Sequence, residues 1–542
     1  MAGFSHQFES RRRGPANMND MLEVQGYGGM VVSPHILSTQ AGMEALDRGG
    51  SAVDAAIAAN AVQGMVAPET CGIGGDLFAL VHDGTVVTAL NSSGWAGSNV
   101  SADRLRDEGL AAIPQHHPAG VTIPGCVAGW FALHDRYGRL PLAELLRRAI
   151  EHGRVGFAAS TEYSRSTHRM ADFLADNEAG AQLLFDGRPP LRGERVRRPN
   201  LSDTLQRIAQ DGPTAFYEGP VAESICEAVD GLITPEDLAA YRADWVDPIS
   251  IDVFGVTGWT IPPNSQGYIT LAVLALFEQL TPTLDPGDPR WAHILIEAYR
   301  AVAAERDEVV ADPAHAPVPP EILLEPIRLA SFASGITADG VARRSRPAPK
   351  PGGTMFMCAI DDDGMGISLI ESNFRGIGSG LGAGRSGFIL HDRGGGFDLR
   401  SGHPNEIGPR KRPPHTLAPT LWTSGDRLRG LLGTRGGYQQ PQLLAQIAAL
   451  LFGAGRSAGT AQCEPRWTMT NVELADTTSI VDVESDMSSH IVDGLTARGH
   501  TIRAQAVRSP GWGPVSVIDV ANNGLRTGAA DPRVDTAAAA TR

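Results

Sequence analysis

The chain has 542 residues, 42% apolar and 20% charged, a balance that excludes a disordered or fibrous protein and leaves ample length for a sizeable core. No apolar run approaches the roughly 18 to 20 residues of a membrane span, and the start MAGFSHQFESRRRGPANMND has no apolar h-region, so a cytoplasmic protein without a membrane partner is expected. The formal net charge of −15, with basic residues scattered apart from Arg11 to Arg13, argues against a nucleic-acid partner, and Cys71, Cys126, Cys226, Cys358 and Cys463 show neither a disulfide framework nor a zinc-site spacing.

In chain order, residues 1–28 read as a disordered polar tail without either apolar period. Ile36 to Leu46 and Ala52 to Val62 carry apolar residues at helical spacing, with Gly49 and Gly50 ending the first helix and Ser51 capping the second. CGIGGD, Cys71 to Asp76, then leads into FALVHDGTVVTAL, where Asp83-Gly84 between two β-rich runs predicts a hairpin. A dinucleotide site needs strand, glycines, helix in that order; here a helix precedes and a strand follows, so the glycines read as a tight turn.

Between about 120 and 340, helical stretches such as Leu140 to His152 and Trp291 to Val310 alternate with proline-rich connections. SRPAPKPGG, Ser345 to Gly353, cannot be helical and gives a pliable exit, which fits a linker or a processing site. TMFMCAI and GISLI flank Asp361 to Gly364 as a second hairpin, and this places Thr354 at the start of a strand. LRGLLGTRGG reads as a strand ending in a glycine turn, and Pro441 to Phe452 reads as an amphipathic helix. Glycine amides between a strand end and a helix start are well placed to receive an oxyanion. Gly455 to Gly459 spells the GxSxG elbow of serine hydrolases, but it follows a helix where an elbow must follow a strand.

The ordered segments MVVSPHILSTQAG, GGSAVDAAIAAN, GIGGDLF, VTIPGCVAGW, PPNSQG, IEAYRA, NFRGIGSG, HPNEIGPRKRPPHTLAPT and LLGTRGG, together with the Thr354 strand, resemble the gamma-glutamyltransferase family of N-terminal-nucleophile hydrolases from about Met30 to Phe452. The resemblance implies an α+β fold, a four-layer αββα sandwich, made as a precursor that cuts itself between Gly353 and Thr354. Residues 29–353 would be the large-subunit segment and 354–542 the small, intertwined in one domain. Thr354 would supply the hydroxyl that cuts the chain and later attacks substrate, and its freed amine, with an ordinary pKa of about 8, would accept the proton.

By the same resemblance Ser372 holds the nucleophile's amine, Gly436 and Gly437 form the oxyanion hole, and Thr416 matches the second of two serines that line the substrate pocket, with His415 in place of the first. Asn373 and Arg375 follow the nucleophile hairpin closely enough to hydrogen-bond substrate. The arginine that clamps a γ-glutamyl carboxylate belongs near Ser98 to Ser101, where this chain has none, and the aspartate for the substrate amine falls on Gly396. Arg393 and Arg435 remain as carboxylate partners. The expected activity is hydrolysis of, or acyl transfer from, a small amide other than glutathione, in the manner of the family's diverged amidohydrolase subgroup, without metal or cofactor. A genuine γ-glutamyltransferase and an uncleaved, non-catalytic member are the alternatives, and whether processed copies pair further is open.

Overall fold

The computed structural model describes residues 23–281, 285–342, 353–469 and 479–542. Residues 1–22 of the expected tail, and all of the proline-rich exit except Gly353, lie outside them.

The strand Gly353–Ile360 shows how the layers arise. Met355, Met357 and Ala359 pack into a core shared with helices, whereas Phe356, Cys358 and Ile360 alternate to the opposite face and pack into a second core. Both faces are covered, which is why GTMFMCAI is apolar almost throughout. Its sheet has seven strands in the hydrogen-bonded order Ala538–Thr541, Met30–Ser33, Gly353–Ile360, Gly366–Phe374, Asp76–His82, Val87–Ser92 and Asp244–Val246. The second sheet, also of seven, runs Glu23–Gly26, Arg526–Ala529, Val515–Val520, Arg427–Thr434, Thr420–Ser424, Val256–Thr260 and Ile249–Val253.

Phe356, Phe78, Leu80, Ile370, Leu421, Leu431 and Ile518 fill the space between the two sheets. The Phe356 ring lies so close to Gly433 that a Cβ there would fall 2.0 Å from it, so this core needs glycine on the facing strand. Truncating such a buried phenylalanine to alanine typically costs about 3–5 kcal/mol. Helices Ile36–Asp47, Ala52–Val66 and Leu142–Val155 cover the outside of the first sheet. Tyr268–Leu280, Pro289–Val302 and Gln440–Ala448 cover the second, against Trp422, Leu432, Val515 and Val517. The result is the four-layer αββα sandwich of an α+β protein. No helix among the described residues is long and apolar enough to cross a membrane.

Local signals explain most of these elements. Ser51 Oγ accepts the Asp54 N–H at 3.1 Å while Asp54 Oδ2 accepts the Ser51 N–H at 2.9 Å, a capping box that starts the second helix. Both expected hairpins are present, at Asp76–His82 with Val87–Ser92 and at Gly353–Ile360 with Gly366–Phe374. The segment Trp291 to Val310 is not one helix: it breaks after Val302 into the turn Ala303–Glu305 and the short helix Arg306–Val309. Nor are all of residues 23–28 tail, since Glu23–Gly26 pairs with Arg526–Ala529 as an edge strand. Ser457 of the GxSxG string is exposed and caps the helix Ala458–Cys463, which accounts for it without catalysis.

Candidate active site

The strand Gly353–Ile360 opens on the pair Gly353 with Phe374, and the register then steps to Met355 with Glu371. The partner strand therefore carries one extra residue across Ser372 and Asn373, a bulge opposite Thr354. This brings Ser372 onto the peptide carbonyl that precedes Thr354. Ser372 Oγ donates to Gly353 O at 2.5 Å and accepts the Phe374 N–H at 2.8 Å. Thr354 Oγ1, on a residue only 1% exposed, lies 2.7 Å from the same carbonyl oxygen and 3.1 Å from Ser372 Oγ. A Cβ at position 353 would fall 2.7 Å from Gly376 N and 2.9 Å from Glu69 O, so backbone on both sides restricts that position to glycine.

Phe374 closes the bulge with φ +72°, a region bulky side chains rarely enter. Such backbone persists where its surroundings over-determine it. Here the N–H is bonded to Ser372 and the ring faces the guanidinium of Arg393, whose Cζ is 4.0 Å from the ring centre.

The strand Arg427–Thr434 ends in Arg435 and then Gly436 and Gly437, at φ +124° and +57°, before the helix Gln440–Ala448 begins. These are glycine conformations, and they turn the chain where an oxyanion hole is expected. Gln266, from PPNSQG, donates through Nε2 to Gly437 O at 2.9 Å and to Thr416 O at 2.8 Å, which ties the glycine turn to PPHT. His415 is buried: its Nε2–H donates to Asp76 Oδ2 at 3.1 Å, and burial followed by the charge of Arg393 lowers its pKa to about 3, so it stays neutral.

The four remaining sequence candidates differ sharply. Arg393 is fully buried, with Nη1 donating to Thr416 Oγ1 at 3.2 Å. Arg375 Nε lies 2.6 Å from Asp392 Oδ2, and its backbone N–H donates to Asp392 Oδ1 at 2.9 Å. Arg435 is gripped from both terminal nitrogens by Glu162, at 2.9 and 2.5 Å, and so already carries a carboxylate. Asn373 packs on the CGIGGD side, where Nδ2 donates to Pro68 O at 3.3 Å and the side chain approaches Gly72 and Gly75. At the positions where the resemblance would put γ-glutamyl contacts, Ser98 donates through N and Oγ to Asp237, both at 2.8 Å, and Gly396 abuts Pro414.

Asp76, Gln266, Glu69 and Phe374 escaped the residue-level reading. GIGGD, PPNSQG and NFRGIGSG were visible as matching segments and hold Asp76, Gln266 and Phe374; nothing local marks Glu69. Glu69 is buried, its Oε2 has no hydrogen-bond partner among the described residues, and burial, followed by the charge of Glu162, raises its pKa to about 8. A carboxyl raised from an ordinary 4.5 stabilises the fold fully below about 4.5, and that stabilisation is lost as pH rises through about 8. The melting temperature of Glu69→Gln should therefore fall less than the wild type's between pH 6 and pH 9, by a margin on the order of 2 °C. Parallel pH profiles would show that Glu69 is not protonated in the fold.

The chain is similar to known proteins over most of its length. The family model described as Gamma-glutamyltranspeptidase matches residues 38–541. The glutathione hydrolase-like YwrD proenzyme of Bacillus subtilis (strain 168) is 36% identical over 517 residues, covering 94% of this chain and 98% of that protein. The oxamate amidohydrolase proenzyme of Klebsiella pneumoniae is 32% identical over 523 residues, with 94% and 98% covered. The crystal structure of cephalosporin acylase from Bacillus halodurans superposes with a TM-score of 0.88 at 30% identity, covering 99% of both chains. With a family match over most of its length and a sandwich shared with an acylase, the chain belongs to the gamma-glutamyltranspeptidase family of N-terminal-nucleophile amide hydrolases.

Proposed function

We propose that the chain cuts itself between Gly353 and Thr354, and that Thr354 then hydrolyses small amides other than glutathione. One observation carries the reading: the hydroxyls of Thr354 and Ser372 converge on the carbonyl oxygen of Gly353. Attack by Thr354 Oγ1 on that carbonyl carbon forms a C–O bond and breaks the C–N bond, and the hydroxyl proton passes to the departing amine. Water then opens the ester, leaving a carboxylate on Gly353 and a free hydroxyl and α-amine on Thr354. Ser372 Oγ–H points at the oxygen on which negative charge grows during the cut. Once that carbonyl leaves, the same hydroxyl is released to hold the α-amine.

In the processed enzyme the α-amine takes the proton of Thr354 Oγ1 as it attacks the substrate carbonyl, and the amides of Gly436 and Gly437 receive the oxyanion. The substrate's amine leaves with that proton, and water hydrolyses the acyl ester. Glutathione fits poorly, because Ser98 is occupied by Asp237, the segment Ser98 to Ser101 holds no arginine, the nearby Arg410 is itself 3.5 Å from Asp237, and Gly396 offers no carboxylate to an ammonium. Five cysteines without a disulfide among them support a reducing compartment, and we place the enzyme in the cytoplasm. A denaturing gel and intact-mass measurement test the proposal: two fragments are expected, the smaller beginning at Thr354. A single uncut chain without amide hydrolysis would overturn it and leave a non-catalytic family member.

A further inference from the structure

We propose that Arg393 anchors a carboxylate on the acyl part of the substrate, so that the enzyme acts on monoamides of short dicarboxylic acids; this rests on the reading of Thr354 as nucleophile. Arg393 is 0% exposed, and its Nε and Nη2 have no hydrogen-bond partner among the described residues. Those two nitrogens lie on one edge of the guanidinium, the edge that binds a carboxylate with two parallel hydrogen bonds. The acids around it are committed elsewhere: Asp392 to Arg375 at 2.6 Å, and Asp76 to His415 at 3.1 Å and to the Gly94 N–H at 3.0 Å. A buried cation with an open bidentate edge is expensive unless an anion from outside completes it.

Contacts tie this edge to the reacting end of the site. The guanidinium stacks on Phe374, the residue paired with Gly353, whose N–H bonds to Ser372. Arg393 Nη1 also meets Thr416, and Gln266 links Thr416 to Gly437. An anion on the Arg393 edge is thus linked both to the nucleophile strand and to the glycine turn. An α-ammonium would meet the opposite conditions there, with a like charge on Arg393, no carboxylate on Gly396 and a neutral His415. The chemistry selected is an amide R–CO–NHR′ with a carboxylate in R: the C–N bond breaks, the amine (ammonia where R′ is hydrogen) leaves with a proton, and water releases the dicarboxylate.

The test compares kcat/KM of the processed protein for oxamate, succinamate and glutaramate with that for the matching diamides, oxamide, succinamide and glutaramide. At least one monoamide should exceed its diamide by about 10²-fold. Arg393→Gln should raise KM for that monoamide by roughly 10- to 100-fold and change kcat less, with Arg393→Lys intermediate, the two fragments on a gel showing that each variant folds and cuts. Where a variant fails to cut, inhibition of the wild type decides: oxalate, succinate or glutarate should compete with substrate far more strongly than the corresponding diamide. Diamides hydrolysed as fast as monoamides, preference for a γ-glutamyl anilide over both, or a monoamide KM unmoved in cut Arg393→Gln would each overturn the anchor and leave the Thr354 reading standing. An uncut, inactive wild type would overturn the underlying reading instead.

Discussion

Thr354→Ala is expected to run as one uncut band and to lose amide hydrolysis by at least about 10⁴-fold. The loss is this large because a single side chain has two tasks. Its hydroxyl is 2.7 Å from the carbonyl oxygen of the bond to be cut, and without the cut there is no α-amine to act as base. Thr354→Ser keeps the hydroxyl and should restore both fragments, with slower cutting because the methyl group that restricts the rotamer is gone. Ser372→Ala, which removes the 2.5 Å bond to the same oxygen, should slow cutting without abolishing the attacking group. Efficient cutting in Thr354→Ala would place the nucleophile elsewhere.

The second large effect is expected at the glycine turn. Gly436→Ala should lower kcat of the processed enzyme by about 10²- to 10³-fold, with KM changing only a few-fold, since each oxyanion donor is worth about 3–4 kcal/mol and acts on charge that develops only in the transition state. Space is not the obstacle, because the nearest atom to an added Cβ is the end of the Gln439 side chain at 3.1 Å. Conformation is. At φ +124° an alanine is strained, and relaxing that strain rotates the amides away from the substrate. Steady-state kinetics on the cut variant measures this, and a kcat within threefold of wild type would remove Gly436 from the oxyanion hole.

What could be read from the sequence was what neighbouring residues decide. Ser51 and Asp54 are three apart and form the capping box they spell; Asp361 to Gly364 turns the hairpin that places Thr354 at a strand start. Contacts made across hundreds of residues left no local trace. Glu23–Gly26 is a strand only because Arg526–Ala529 lies beside it, and Arg435 is occupied only because Glu162 reaches it from a distant helix. Asn373 follows Ser372 immediately, yet its amide is spent on Pro68 O, a contact across some three hundred residues that no local pattern announces. Arg393 is the clearest case: its sequence, DRGGGF, suits a solvated turn as well as a site, and only the fold shows a guanidinium with no access to water.

The order of strands in the first sheet has a consequence for how the processed molecule can be made. Gly353–Ile360 lies between Met30–Ser33, from before the proposed cut, and Gly366–Phe374, from after it. While the chain is intact, assembling that sheet is an intramolecular event whose rate ignores concentration. After the cut the same sheet joins two polypeptides, so recovery from denaturant becomes a second-order encounter that dilution slows, and each piece waits with apolar strands unpaired and prone to aggregate. The peptide bond that the chain is proposed to cut is therefore also the tether that makes its folding easy, and the cut form is best regarded as a shape reached once, from the precursor, and thereafter kept by slow unfolding.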